Sequence, residues 1–166
     1  MDLKQTSIND ALNNSKLEDA LVNMKNNSDD MNTLIELVHM FAQRIKDAGG
    51  FLLPLTDSTI EPGVENIDFI ESDFKGDLCV VPTDEGTEMG IAFTSVDKFE
   101  GQLYNFANDK VSGGILLIST ALEFFTFDKR FDGLVINPGT DEVVLNKETV
   151  TALATMIGGA IDSIHN

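Results

Sequence analysis

Cysteine is nearly absent. Cys79 is the single one in 166 residues, which excludes an intrachain disulfide and a cysteine zinc cluster. It lies in an apolar run beside Val80 and Val81, with no cation adjacent in sequence, so the expected state is a buried, unreactive thiol. Histidine is almost as scarce: His39 and His165 are the two present, in separate expected helices, His39 off the apolar stripe and His165 in the tail. No histidine cluster for zinc is expected. Basic residues are also few. Against 28 Asp and Glu stand 11 Lys and Arg, a formal charge of −17, which repels phosphate backbones and anionic lipid headgroups alike. Neither nucleic acid nor a membrane surface is an expected partner. Basic proteins or cations would suit the charge, although an acidic surface of this kind more often serves solubility.

Long apolar runs are missing as well, none nearing the roughly 20 residues that cross a bilayer. The opening MDLKQTS has neither the basic nor the apolar region of a signal peptide, and Asp2 excludes myristoylation. A cytoplasmic location is expected. Familiar catalytic spacings are lacking: there is no phosphate-cradling GxxxxGK, no GxSxG elbow and no HExxH. Glu71, Asp73, Lys75 and Gly76 imitate part of an EF-hand loop, but Lys75 replaces an oxygen donor and Pro82 stands where a bidentate Glu should close the site. That segment reads as a plain surface loop. Asp84 with Glu85, and Asp141 with Glu142, could do acid and base work, but adjacent carboxylates beside turns are usually solvated. No enzyme activity, cofactor or metal is expected.

What is present is core material. The chain is 42% hydrophobic with eleven Phe and 23% charged residues, and a domain of about 150 residues buries roughly two thirds of its unfolded surface. One domain over residues 1–166 is expected, with residues 1–30 as a polar helical extension. There Ile8, Ala11, Leu12, Leu17, Ala20, Leu21 and Met24 mark one or two short amphipathic helices, with Asn14 or Ser15 capping the second. Asp30 is a good cap for the next helix, where Met31, Leu34, Ile35, Val38, Phe41, Ala42 and Ile45 recur at helical spacing and Gly49-Gly50 can close it. Phe51 to Leu55 reads as a short strand that Pro54 places at an edge or bend. Residues 57–76 are irregular, with a strand around Ile67 to Ile70.

The organising stretch is Asp77 to Ser95, strand, turn and strand around Gly86. Leu78, Val80 and Pro82 fall on one side and Cys79 and Val81 on the other, which suits a first arm buried on both faces. Asp97 can cap a helix to Asn108 with Phe99, Leu103 and Phe106 inward. A buried strand follows from Val111 to Ser119, and then a short helical or irregular segment. GLVINPGTDEVVLN forms a second hairpin, since Pro138 presets one backbone angle and Gly139 tolerates positive φ. Asn146 starts the last helix, with Leu145 and Val150 at hydrophobic-staple positions and Val150, Leu153, Ala154, Ile157, Ile161 and Ile164 facing inward. The expected class is α+β, a mixed sheet built on two hairpins and packed by helices.

FLLPL, then DLCVVPTDEGTEMGIAFTSVDKF, then FDGLVINPGTDEVVLNKETVTAL, in that order, resemble the SseB N-terminal domain family across residues 17–153. The likeness rests on Phe-Thr-Ser at 93–95 and on Gly-Leu-Val-Ile-Asn-Pro at 133–138 followed by a strand and a helix. The family takes its name from enhanced serine sensitivity in bacteria. The resemblance implies a cytoplasmic bacterial protein with no catalytic residues to carry over, and the Asn- and Asp-rich start departs from it. The expected function is non-catalytic protein binding or regulation. Its rivals are an acidic chaperone-like protein holding another chain and an enzyme using surface carboxylates. Phe124, Phe125, Phe127 and Phe131 follow neither a helical nor a strand period, so they cannot all face one core. The contact with a protein partner, or with a second copy in a homodimer, is expected to include Phe125 or Phe127.

Overall fold

In the computed structural model, which describes residues 3–71, 73–102, 110–139 and 141–165, the chain begins with helices α1 (Leu3–Ala11), α2 (Ser15–Asn26) and α3 (Met31–Lys46). Asp30 caps α3 as expected, its carboxylate accepting from the Asn32 N–H at 2.9 Å. The buried side of α3 is Thr33, Leu37, Val38, Phe41 and Ala42, whereas Met31 and Ile35 stay exposed. They fall on the flank that no other element covers. The helix ends in a Schellman turn, with Gly49 N–H bonded to Arg44 C=O and Ala48 N–H to Ile45 C=O. Ala48, not a glycine, takes the left-handed position, at φ 58°. Gly49 and Gly50 serve close approach instead. A Cβ on Gly49 would lie 2.7 Å from Arg44 Nη2, and one on Gly50 2.6 Å from Ile115 Cγ2.

Strand β1 (Gly50–Thr56) is followed by a 3₁₀ turn (Val64–Asn66) and four short strands, β2 (Asp68–Phe69), β3 (Asp77–Leu78), β4 (Val80–Pro82) and β5 (Glu88–Ala92). Then come α4 (Val96–Gln102), β6 (Ser112–Leu117), α5 (Ile118–Phe127), β7 (Phe131–Ile136), β8 (Val143–Asn146) and α6 (Lys147–His165). The fold is α+β with two mixed four-stranded sheets, ordered β2-β6-β1-β3 and β4-β5-β7-β8. Both expected hairpins, β4-β5 and β7-β8, lie in the second sheet, joined by parallel pairing of β5 with β7. The first sheet is additional. A bridge between Leu52 and Phe93, with both N–H···O bonds at 2.8 Å, ties the two together.

β1 is an inner strand, not an edge. Phe51, Leu53 and Leu55 enter one core cluster and Leu52 the other, as strand alternation dictates for a strand covered on both faces. Pro54 is tolerated because a strand residue's N–H and C=O point the same way, and Pro54 C=O receives Cys79 N–H at 2.9 Å. Its missing N–H therefore faces away from β6, and the long β1–β6 ladder is intact. The first arm of the organising stretch is not a strand buried on both faces. It splits into β3, at the edge of one sheet, and β4, at the edge of the other, with Val81 and Pro82 exposed.

The larger core gathers one face of β1 and β6 with the inner face of the second sheet against α2, α3, α5 and α6, while α1, α4 and the 3₁₀ turn close a smaller cluster around Leu52, Phe93 and Phe99. Edge-on ring packing marks both, Phe41 on Phe51 at 6.3 Å and Phe93 on Phe99 at 5.6 Å between centroids. Ser95, not Asp97, accepts a first-turn N–H of α4, from Lys98 at 3.3 Å. Leu103, Phe106 and the expected end of that helix at Asn108 lie outside the described residues, as do the side chains of Ile164 and His165. Asn146 caps α6, accepting Thr149 N–H at 2.8 Å, with Leu145 and Val150 both buried beneath it. No helix among the described residues is long and apolar enough to cross a membrane.

Candidate functional site

The aromatic run lies at one corner of the molecule, where α5 hands over to β7. α5 starts directly at the end of β6, so the segment is a full helix and its rings fall on different sides. Phe125 is fully buried, 0% exposed, because its ring occupies the space left by Gly90 on β5, where a Cβ would lie 2.2 Å from Cε1. It stacks edge-on against Phe131 at 5.0 Å and Phe124 at 5.4 Å. Phe125 is therefore core and unavailable as a contact residue. Phe127 is the opposite case, 77% exposed.

The end of α5 is held by charge. Arg130 lies over the Phe131 and Phe124 rings at 5.1 and 5.9 Å and forms an ion pair with Asp128 at 3.0 Å. The hydrogen bond from Arg130 keeps the Asp128 carboxyl below the usual carboxylate range. Lys147 reaches in from α6 to the carbonyls of Asp128 and Phe131, at 3.0 and 3.1 Å. Rotation of the corner to bury Phe127 would break these bonds.

A second constellation was legible only in part. Asn14 precedes α2 but makes no capping bond. Buried, it donates to Gly50 C=O and Thr94 C=O, each at 2.9 Å, and accepts from Arg44 Nε at 2.8 Å. Arg44 also caps α1, donating to Ala11 C=O at 2.8 Å and Asp10 C=O at 3.1 Å. Thr94 N–H in turn bonds Asn137 Oδ1 at 3.0 Å, Asn137 Nδ2 bonds the Thr94 hydroxyl at 2.9 Å, and that hydroxyl donates to Glu18. The network ties the N-terminal helices to both sheets through side chains whose polar atoms are matched, as a rigid buried network requires. Above it opens a cleft of about 530 Å³, lined by Ser15, Glu18, Ser95, Asp97 and Lys98 among others. Its cation, Lys98, is paired with Asp141 at 3.0 Å.

Cys79 is free and half-buried, and burial pushes its thiol up to about 11, which leaves little thiolate near neutrality. Asp84 and Glu85 are exposed at the β4-β5 turn, and Asp141 is engaged by Lys98. Among the described residues no group of His, Cys, Asp and Glu is gathered as a metal site needs.

What the sequence reading missed is the outer face of the second sheet. Val81, Met89 and Gly133 stand opposite one another on β4, β5 and β7, and Val144 is on the same face of β8. The signal was available in the run Val143-Val144-Leu145, where an apolar residue holds the outward position between two inward ones. No family model matches the chain, and neither a curated protein nor a solved structure matches it.

Proposed function

We propose that the chain is a non-catalytic protein-binding module of SseB-like type, working in the bacterial cytoplasm, and that Phe127 forms part of the surface by which it meets a protein partner or a second copy of itself. The observation that carries this reading is one exposed ring, 77% open to solvent, at a corner whose other three rings are packed. Exposing a Phe forgoes about 2 kcal/mol of burial. Buried aromatic anchors commonly dominate an interface, with truncation costing 2 kcal/mol or more. The sequence supports the same reading, since the resemblance brings no catalytic residues with it.

The test is Phe127→Ala, with the wild-type melting temperature as the check on folding. Light scattering and affinity capture should show the variant losing either the wild-type dimer mass or a partner that the wild-type chain recovers, by about tenfold or more in apparent affinity. A folded variant with unchanged mass and unchanged partners would sink the proposal.

A further inference from the structure

A sheet with one face on the core ordinarily presents polar residues on the other. The second sheet does not. Its outward positions carry two largely apolar rows, Val81, Met89 and Gly133 in one, ending at Asn146 on β8, and Ile91, Val135 and Val144 in the next. Ile91 and Val135 are covered, but Val81 is 40% and Val144 58% exposed. Gly133 flattens the middle of the strip. Its φ is 152° and a Cβ there would lie 2.9 Å from Met89 Cε, so the Met89 side chain lies across the vacant position.

The pairing that sets Glu88 against Phe131 and Met89 against Gly133 leaves Asp132 as the extra residue of a β-bulge. Bulges re-aim side chains. Here the Asp132 carboxylate accepts the Thr87 hydroxyl at 2.5 Å and joins Asp84, Glu85 and Glu148 around a shallow groove of about 650 Å³ that contains Met89 and Val144. No Lys or Arg lines this groove among the described residues. The two nearest in sequence are turned elsewhere, Lys147 to backbone carbonyls and Arg130 to Asp128.

We propose that this groove, together with Val81 beside Met89 at its margin, docks a basic amphipathic segment of a partner protein, its apolar side chains on Val81, Met89 and Val144 and its Lys or Arg side chains on Asp132, Glu148, Asp84 and Glu85. Charge selects the occupant. A second copy would bring another rim of carboxylates and another −17 of charge, and nucleic acid or an anionic bilayer is repelled by the same field. A bare cation would have no use for the valines. This surface is independent of Phe127, and the two can fail separately.

The probes are three short synthetic peptides: alternating lysine and valine, the same with glutamate for lysine, and the same with serine for valine. Fluorescence anisotropy should show the lysine–valine peptide binding about tenfold or more tighter than either relative. Val81→Thr with Val144→Thr keeps β-branched side chains on exposed positions, and Asp132→Asn with Glu148→Gln keeps the Thr87 bond. Each pair should weaken binding about tenfold. Glu36→Gln with Glu65→Gln removes two exposed charges elsewhere and should leave affinity within about twofold, as should Phe127→Ala. Melting curves confirm that each variant is folded. The proposal is overturned if the lysine–valine peptide does not bind, if the lysine–serine peptide binds equally well, or if the control pair weakens binding as much as the groove pairs.

Discussion

Asn14 shows why a residue's type is easier to read than its work. Its position before an amphipathic run reads as a helix cap, a role worth about 1 kcal/mol, but its amide is spent on Gly50, Thr94 and Arg44. Those partners come from segments far along the chain, so no local pattern announces them. Removing the amide would leave two buried carbonyls and the Arg44 Nε–H without this partner, so Asn14→Ala should cost about 3 kcal/mol in urea unfolding. A loss near 1 kcal/mol would reduce Asn14 to a simple cap. Ala48 offers the opposite sign. It sits at φ 58°, where an L residue pays about 1–2 kcal/mol and glycine does not. After the extra unfolded-state entropy of glycine is subtracted, Ala48→Gly should raise stability by roughly 0.5–1 kcal/mol. An unchanged or lower urea midpoint would mean that the Schellman turn does not hold in solution.

Elements were legible where one local rule governed them. α3 was announced by Asp30, and α6 by Asn146 with its staple. The β7-β8 hairpin was announced by Asn137-Pro138-Gly139, in which Asn137 and Gly139 both take positive φ. What could not be read was partnership between strands. The stretch from Asp77 to Pro82 has one continuous apolar pattern, yet it serves two sheets, because β1 and β5 both offer it an edge. The notch at Gly133 was equally hidden. A Cβ there would come 2.2 Å from Leu145 C=O, which no side-chain movement can relieve, so Gly133→Ala should cost more than about 3 kcal/mol through strain and loss of β7–β8 pairing. Gly158, where a Cβ would meet nothing within 4 Å, supplies the comparison, since alanine favours a helix interior by about 1 kcal/mol. Equal effects at the two glycines would show that the bulge geometry is wrong.

At the scale of the molecule, on the proposed reading the −17 surplus is a filter on partners and the exposed Phe127, Val81 and Val144 are the means of contact. The filter was legible from composition alone. Of the expected contact residues, Phe125 belongs to the core, because Gly90 leaves room for its ring, and Phe127 remains outside. Choosing between them required knowing that α5 starts directly at Ile118, a boundary that no glycine, proline or cap residue marks. The most direct test of a protein-binding surface at this corner is photo-cross-linking in cells that make the protein, with a photoreactive phenylalanine analogue at position 127 and, separately, at exposed Glu36. The expected result is a discrete cross-linked species from position 127, either a dimer or a single partner protein, that position 36 does not give. No cross-link from position 127, or the same products from both positions, would contradict it.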